Sequence, residues 1–294
     1  MESTDLRIFQ AVAREGSITK AAARLGYVQS NVSARIQQLE SDLGTMLFLR
    51  HNRGMTLSSS GQTLLVYADK IVGLLDEASR ALASSTEPSG PLRIGSTQTA
   101  AAVRLPKLLA VYYERHPSVV LSLATGHTQF LIDKVLQYEL DGAFIGTQCD
   151  HPELQSIPVF DEELVIATAP PVADLEEAFT KPVLVYSIGC SYRDILERWM
   201  QGQGVRQSVI MEFGTLEAIV GGVSAGLGIS LLPRTVVAKH AVEGAVRAHE
   251  VPESIRHMRT EFITRKDSFI SSALHALIDL MPRASAQTST DMVQ

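Results

Sequence analysis

The sequence contains little cysteine and no long apolar run, and each absence argues against whole classes of protein. Only two of its 294 residues are cysteines, Cys149 and Cys190, which stand far apart and outside any C-x-x-C pair. This favours reduced thiols over a disulfide framework or a structural zinc site. No apolar segment approaches the roughly twenty residues that span a bilayer. The first residues, which include Glu2 and Asp5, lack the basic-then-apolar pattern of a secretory signal. We therefore expect a cytoplasmic protein with no membrane partner.

The common catalytic and cofactor motifs are also missing. The chain has no H-E-x-x-H, no P-loop and no complete G-x-G-x-x-G, so we predict no metal and no cofactor. One short match remains, because "GVSAG" at residues 222–226 fits the G-x-S-x-G pattern of a nucleophilic serine at a strand-to-helix turn. Here a helix-like segment precedes the match and a strand-like segment follows it. An α/β hydrolase-like enzyme using Ser224 is thus a minor alternative, and we expect no enzymatic activity.

The charge of the chain is unevenly distributed. The formal net charge is −6, whereas residues 1–70 hold eight Lys/Arg against six Asp/Glu and so carry +2, which leaves −8 on the rest. The length is about twice that of a typical domain, so two or more cores are expected. A mildly basic head on an acidic body predicts that only the head meets a polyanion.

The first sixty residues have the pattern of a winged helix-turn-helix. Residues 5–15 predict a helix that ends at Gly16, Ser17 caps a second helix, and Gly26 separates that helix from a third. The third helix carries an apolar stripe at spacings of four, three and four: Val32, Ile36, Leu39 and Leu43. "FLRHNRGMTLSSSG" (residues 48–61) then predicts a β-hairpin.

The polar face of the third helix suits the DNA major groove, which admits one α-helix and exposes base edges to its N-terminal residues. The amides of Gln29 and Asn31 fit adenine, and Arg35 fits guanine or phosphate. Short serines allow close approach, while the second helix and the hairpin supply phosphate contacts. The predicted DNA-binding residues are Ser17, Lys20, Gln29, Ser30, Asn31, Ser33, Arg35, Arg50 and Arg53.

At this point the sequence resembles a known family. Its N-terminal segment contains, in order, "F-x-x-V-A-x-x-G-S", "A-A-x-x-L", "Q-S-x-V-S-x-x-I-x-x-L-E-x-x-L-G", "L-F-x-R" and "L-S-x-x-G". These features are similar to those of the LysR-type transcriptional regulators and run without a gap to about residue 65. The resemblance implies that Gln29, Ser33, Arg50 and Arg53 contact DNA. Ser30 replaces a common proline, and Ala34, Gln37 and Gln38 replace frequent arginines, so the hairpin arginines are expected to carry more of the phosphate contact.

A long helix is predicted from Gly61 to about Ala83. Apolar residues occupy a and d positions over three heptads: Leu64, Ala68, Ile71, Leu75, Ala78 and Leu82. This pattern favours pairing with a second chain, and the alternative is packing against the helix's own domain. "SSTEPSGP" (residues 84–91) then reads as a hinge.

Strand-like and helix-like segments alternate beyond the hinge, which predicts α/β units with mostly parallel strands. The resemblance implies two subdomains like those of periplasmic binding proteins. We therefore predict an α+β multidomain protein with a winged helix-turn-helix, a linker helix and a two-subdomain α/β effector domain. The expected bounds are 1–60, 61–90 and 91–294, with subdomain I at about 91–161 and 265–283 and subdomain II at about 162–264.

The resemblance also implies a small-molecule site in the cleft between the subdomains. Independently, strand exits beside helix N-termini are rich in small polar residues, and such positions bind anions. The predicted effector-binding residues are Ser96, Thr97, His127, Thr128, Ser191, Tyr192, Arg193 and Thr215. Arg193 favours a carboxylate ligand. Cys190 precedes a predicted helix that would stabilise a thiolate, so a redox-responsive regulator is the alternative.

These features combine into one functional hypothesis. Paired linker helices place two heads on successive turns of double-stranded DNA, body domains pair as well to give a dimer of dimers, and an effector changes the spacing of the heads. We also expect RNA polymerase as a partner.

Overall fold

The structure is a computed structural model that describes residues 1–51, 54–83, 87–203 and 209–282. The chain divides into two compact units, one of residues 1–84 with 136–139 and one of the remainder. The first unit contains α1 (Ser3–Glu15), α2 (Ile18–Leu25), α3 (Gln29–Leu43), β1 (Phe48–His51), β2 (Gly54–Leu57) and α4 (Ser59–Ala83). The predicted three helices, hairpin and long helix are confirmed.

Glycines and a serine set the helix ends in the first unit, which we call the head. Gly16, Gly26 and Gly44 take left-handed backbone conformations just after α1, α2 and α3, where a side chain would be strained. The hydroxyl of Ser17 accepts a hydrogen bond from the backbone N–H of Lys20 and so caps α2. The head core is built from α1, α2 and α3 around Phe9, Val12 and other buried apolar residues.

The hairpin is fixed to the helices by two short links. The backbone N–H of Met55 donates to the carbonyl of Gly16 at 2.9 Å, and a Cβ on Gly54 would lie 2.7 Å from that same oxygen. Glu40, near the end of α3, accepts from the backbone N–H groups of Leu47 (2.7 Å) and Phe48 (3.2 Å). The α3 helix and the hairpin therefore form one connected piece.

The first half of α4 belongs to the head core. Ala68 and Val72 are buried there, and Leu64 packs against them. A polar link strengthens this contact, because the buried carboxylate of Asp69 accepts from Gln10 at 2.6 Å and from Arg14 at 3.1 Å. The alternative of packing on its own domain thus holds for the first heptad of α4.

The second unit, which we call the body, opens with a parallel sheet. Its first elements are β3 (Gly90–Ser96), α5 (Gln98–Val103), α6 (Leu105–Arg115), β4 (Val119–Thr125), α7 (Thr128–Leu136), β5 (Gly142–Ile145) and β6 (Leu154–Thr168). The sequence pattern predicts one helix near residues 103–115, which corresponds to α6, and misses α5; Arg104 lies between the two. β3 pairs in parallel with both β4 and β5.

The rest of the body contains α8 (Leu175–Ala178), β7 (Val183–Val185), α9 (Ser191–Gly202), β8 (Ile210–Glu212), α10 (Leu216–Ser224), β9 (Ser230–Pro233), α11 (Arg234–Val242), β10 (Arg247–Glu250), α12 (Glu253–Arg256), β11 (His257–Arg265) and α13 (Ser272–Leu280). Sequence patterning missed α8, α11, β10 and α12. For β6, it predicts a strand only at residues 163–168, which is the end of this 15-residue element.

The expectation of mostly parallel strands is wrong, because the main sheet is mixed. Its strands run in the order β10-β6-β11-β5-β3-β4, with β9 on β6. β6 pairs antiparallel with β9, β10 and β11, and β11 pairs antiparallel with β5. The antiparallel pairs arise because the two long strands, β6 and β11, run from one core to the other. The hydrophobic pattern of one strand does not show whether its neighbour runs parallel or antiparallel to it.

β6 and β11 each contribute to two separate apolar cores. One core, in what we call the first lobe, includes Val159 of β6 and Phe262 of β11. The other core, in the second lobe, includes Leu164 of β6 and Met258 of β11. The ladder between the two strands shifts register at Thr260/Glu261. The lobes therefore meet where these strands cross, and residues after the shift in β11 pack with the first lobe.

Candidate functional site

The N-terminal part of α3 presents an exposed polar face. Gln29, Ser30 and Asn31 are exposed, and their side chains form no hydrogen bond within the part of the chain that the structure describes. Ser33, one turn further, is half-buried. Tyr27 and Val28, which the sequence analysis passed over, are also exposed directly before α3, at 43% and 68%. This face is thus free to contact another molecule.

Two cations near that face lack acidic partners. Lys20 on α2 and Arg50 on β1 are exposed, and neither has a carboxylate within 4.0 Å among the described residues. By contrast, Arg24 pairs with Glu15 at 3.0 Å. Unpaired exposed cations on separate elements are suited to phosphate contacts.

Two other predicted DNA contacts differ from this pattern. Arg35 is half-buried, and its Nη1 donates to Asp5 at 2.9 Å, so α3 is tied to α1 through its guanidinium. Asp5 also accepts from the backbone N–H of Glu2 at 2.8 Å. Ser17 uses its hydroxyl as the α2 cap. Arg53 lies outside the described residues.

The later part of α4 exposes an apolar stripe. Tyr67, Ile71, Leu74 and Leu75 are 38% to 61% exposed, and Leu82 is 92% exposed. Of the predicted a and d residues, Leu64 and Ala68 pack in the head core, whereas Ile71, Leu75 and Leu82 are exposed. The exposed residues follow spacings of three and four, which is the pattern of a pairing helix.

A cavity of about 230 Å³ lies between the lobes of the body, and we call it the inner chamber. Its wall combines the first turns of α5, α7 and α9 with the exit of β7. The lining residues are Thr97, Gln98, Thr99, Gly126, His127, Thr128, Gly146, Tyr186, Ser187, Cys190, Ser191, Tyr192, Gly214 and Met258. No Lys, Arg, Asp or Glu is among them, so hydroxyls, an imidazole and helix N-termini define its chemistry.

His127 and Thr128 give the inner chamber its donors on the first lobe. The Nδ1 atom of His127 accepts from the backbone N–H of Phe130 at 3.2 Å, so Nε2 carries the proton of the neutral ring. The Oγ1 atom of Thr128 is buried and has no hydrogen-bond partner among the residues that the structure describes. A buried hydroxyl without a partner is costly unless something fills the site.

Hydroxyl groups from both lobes meet at the wall of the inner chamber. Thr99 of the first lobe shares a hydrogen bond of 3.1 Å with the hydroxyl of Tyr186 in the second. Burial raises the pKa of Tyr186 and of the nearly enclosed Tyr192 above the ordinary tyrosine value, so both stay protonated. These hydroxyls therefore act as neutral hydrogen-bonding groups.

Five of the eight predicted effector-binding residues line the inner chamber: Thr97, His127, Thr128, Ser191 and Tyr192. The other three have different contacts. Ser96 is fully buried and donates to the carbonyl of Thr97, and Thr215 caps α10 by accepting from Ala218.

Arg193 is turned away from the inner chamber. Its guanidinium binds Glu197 at 2.8 Å and Glu212 at 2.9 Å and donates to the carbonyl of Tyr186. Two carboxylates therefore already neutralise this arginine. The preference for a carboxylate ligand must rest on other groups.

Cys190 precedes α9 as predicted but is not an activated thiol. It lines the inner chamber, and its burial raises the pKa of the thiol, an effect that outweighs hydrogen bonds from the backbone of Arg193 and Tyr192. The expectation of a stabilised thiolate is wrong because desolvation at this buried position exceeds the effect of the helix terminus. Cys149 and Cys190 are both free.

A second cavity of about 550 Å³, the outer chamber, adjoins the first through Thr128, Gly146, Ser191 and Met258. Unlike the inner chamber, it is lined by acidic and basic residues from three elements: Asp161, Asp194, Arg198, His257, Arg259 and Glu261. No local motif marks these residues in the sequence, because they come together only where β6, β11 and α9 meet in the fold. Five residues of the inner chamber were also missed: Gln98, Thr99, Gly146, Tyr186 and Met258. Of these, Met258 lies on β11, whereas Gln98 and Thr99 lie in the first turn of α5 and Tyr186 follows β7.

Two family models together match nearly the whole chain. Residues 3–62 match the bacterial regulatory helix-turn-helix protein of the lysR family, and residues 85–286 match the LysR substrate binding domain. The chain belongs to the LysR family. Its winged head and two-lobed body are thus the two domains of this family.

Characterised and uncharacterised bacterial regulators are close relatives of this LysR-family chain. It is 72% identical to the uncharacterized HTH-type transcriptional regulator YusT of Bacillus subtilis over 279 residues, or 95% of each chain. It is 50% identical to the HTH-type transcriptional regulator GltR of the same organism over 94% of each chain.

Solved structures share the fold at low identity. A full-length OxyR variant from Pseudomonas aeruginosa has a TM-score of 0.73 and 22% identity, covering 98% of this chain and 99% of its own. Full-length CbnR, solved with its target DNA, has a TM-score of 0.69 and 22% identity, covering 96% and 99%. The predicted fold class is confirmed.

The LysR-family chain is a DNA-binding transcriptional regulator with an effector-binding domain, and its relatives are regulators, not enzymes. Ser224 supports this conclusion, because it is the last residue of α10 and precedes β9, the reverse of a strand-to-helix nucleophile turn. Among the described residues, no cluster of His, Cys, Asp or Glu could hold a metal ion, and no helix has the length and apolarity to cross a membrane.

Proposed function

We propose that α3 reads base edges through Gln29, Asn31 and the small side chains beside them, while Lys20 and Arg50 bind phosphates. The observation that carries this proposal is the exposed polar face of α3, whose N-terminal side chains have no partner in the described head. An amide side chain can form two hydrogen bonds with the edge of one adenine, which discriminates against the wrong base by about 1–3 kcal/mol. Arg53 remains a further candidate phosphate contact.

Arg35 has a positioning role in this proposal, beside any contact with DNA. Its bond to Asp5 sets the rotation of α3 on α1. The short side chains of Ser17 and Ser33 are proposed to contact the DNA backbone. Ser30 lies between Gln29 and Asn31.

The DNA experiment separates reading from phosphate binding. Operators are first selected from a random DNA library with the full chain, and affinity is then measured by fluorescence anisotropy. Gln29→Ala and Asn31→Ala should flatten the preference for the selected sequence, whereas Lys20→Ala should weaken binding to all sequences alike. Gln62→Ala, an exposed amide on α4, is the matched control. Unchanged sequence preference in both amide variants would refute α3 as the reading element.

The apolar stripe on α4 is proposed to pair two chains and so to place two heads on one operator. Body domains pair as well, which gives a dimer of dimers that bends DNA. The regulator works in the cytoplasm and meets RNA polymerase at the promoter.

The inner chamber is proposed as the effector site, and a small carboxylate is the ligand class. Support comes from the Nε2 proton of His127, the unpartnered Oγ1 of Thr128 and the first turns of α7 and α9, which favour an anion. The effector bridges the lobes and so favours one arrangement over another.

The coupling is tested by footprinting and DNA bending with and without a bound effector. Ligands are first found by thermal-shift screening of the full chain against small carboxylates. A compound that binds in the inner chamber should change the bend or the footprint, and Thr128→Val should weaken that compound's binding. Binding without any change on DNA would contradict the coupling.

A further inference from the structure

The outer chamber contains two arginines that the protein leaves unpaired. Arg198 on α9 and Arg259 on β11 are both exposed and line this one cavity. Neither has a carboxylate within 4.0 Å in the described part of the chain. They come from two different elements that line the same cavity.

The acidic groups of the outer chamber are mostly engaged. Glu261 is buried and accepts from Ser156 and from the backbone N–H of Cys149. Asp161 lies 3.4 Å from His257. Asp194 alone has a carboxylate with neither a hydrogen-bond donor nor a histidine beside it among the described residues, so the two arginines without a carboxylate partner outnumber it.

Arg198 is held in place for such a contact. Its Nε donates to the carbonyl of Asp194 at 3.0 Å, which turns the guanidinium back along α9 toward the N-terminus and leaves its Nη atoms for a ligand. Asp194 is three residues after Ser191, where the two chambers meet. Asp194 therefore lies about 4.5 Å along the helix axis from Ser191, given the rise of an α-helix, and the guanidinium bound to its carbonyl lies near the junction of the two chambers.

We propose that the effector carries two acidic groups, one in the inner chamber and a second between Arg198 and Arg259 in the outer chamber. This inference rests on the inner chamber as the effector site. A dianion of intermediate length satisfies both subsites at once, because a charged hydrogen bond to each guanidinium adds to the binding of the first group. A monoanion fills the inner subsite alone.

The test is isothermal titration of the full chain with two matched series. The first series is the straight-chain dicarboxylates from succinate to suberate, and the second is their half-methyl esters, which keep the length and lose one charge. The dicarboxylates of intermediate length should bind about ten-fold or more tightly than their half-esters. That advantage should fall about ten-fold in Arg198→Gln and in Arg259→Gln, with half-ester affinity unchanged.

Arg115→Gln, an exposed arginine on α6 that lines neither chamber, is the control and should retain the full advantage. The proposal is overturned if dicarboxylates bind no more tightly than half-esters, if the advantage survives in both arginine variants, or if no member of either series binds. It is equally overturned if straight-chain diamines bind and lose affinity in Asp194→Asn.

Failure of this inference is distinguishable from failure of the proposed function. DNA affinity of the same protein is measured without any ligand. If the chain binds DNA sequence-selectively but its effector is neutral or monoanionic, the second subsite is refuted and the proposed regulator function stands. Absence of DNA binding would remove the regulator whatever the dicarboxylates do.

Discussion

The head and the body build their functional surfaces in opposite ways. Within the described part of the chain, the head leaves the cations Lys20 and Arg50 without acidic partners and the apolar stripe on α4 exposed. The inner chamber of the body instead encloses neutral groups such as Thr99 and Tyr186, and no Lys, Arg, Asp or Glu is among its described lining residues. Substitutions in the head should therefore change association and leave folding intact, whereas substitutions at the inner chamber should change folding and binding together.

The largest expected effect is on pairing through α4. Ile71→Asp combined with Leu75→Asp puts two charges on each copy of the stripe, and a dimer would bury all four without partners. Each lost apolar contact alone costs about 1.5–3 kcal/mol, so we expect dimer affinity to fall at least about a hundred-fold. Light scattering coupled to size-exclusion chromatography measures this. Head unfolding should be unchanged, and a dimer that survives would place the pairing surface elsewhere.

The second prediction concerns the cations of the head. Lys20→Ala and Arg50→Ala should each weaken binding to every DNA sequence. Each should also reduce the slope of log affinity against log salt by about one per head, because one phosphate contact releases about one counterion. Lys107→Ala, an exposed lysine of the body on α6, serves as control. A salt slope equal to that of the unmodified chain would show that these cations do not meet DNA.

A hydroxyl in the body tests the other half of the comparison. Thr99→Val removes the group that hydrogen-bonds Tyr186, so a buried hydroxyl loses its partner at a cost of about 1–3 kcal/mol. Urea unfolding should show this loss, and effector binding should weaken as well. Thr180→Val, whose hydroxyl donates near the surface, is the matched control. Equal stability of the two variants would count against the enclosed network.

The thiol in the inner chamber offers a smaller effect. Because burial raises the pKa of Cys190, less of it is thiolate near neutral pH, and alkylation should be about ten-fold slower in the folded chain than in urea. The Cys149→Ser variant isolates this reaction for mass spectrometry. Alkylation that is as fast in the folded chain would restore the redox-responsive alternative.

The smallest expected effect is a pH dependence in the second lobe. Burial lowers the pKa of His249, which also shares a hydrogen bond of 2.9 Å with Thr168. A histidine with a lowered pKa takes up its proton more readily in the unfolded chain, so folding stability falls as pH drops below about 7. His249→Gln should have a shallower loss of melting temperature between neutral and mildly acidic pH. An identical slope would exclude this histidine as a source.

Local sequence carried most of the information about the head and much less about the body. The caps and glycine ends of α1, α2 and α3 follow from neighbouring residues, so their bounds could be predicted closely. The inner chamber was partly predictable, since Thr128 and Ser191 begin helices after strands. Gly146 and Met258 were not, because they reach the chamber only through the crossing of β6 and β11. Arg193 was misleading for a related reason, as Glu212 pairs with it from a distant strand.

Glu40 also has a consequence for the evolution of operator specificity. The carboxylate of Glu40 holds the start of the hairpin through Leu47 and Phe48. The exposed residues before it on α3 can therefore change without moving the hairpin. New target sequences are then accessible by exchanging only the exposed residues within 29–38. A regulator that lost the Glu40 carboxylate would lose that freedom before it lost its fold.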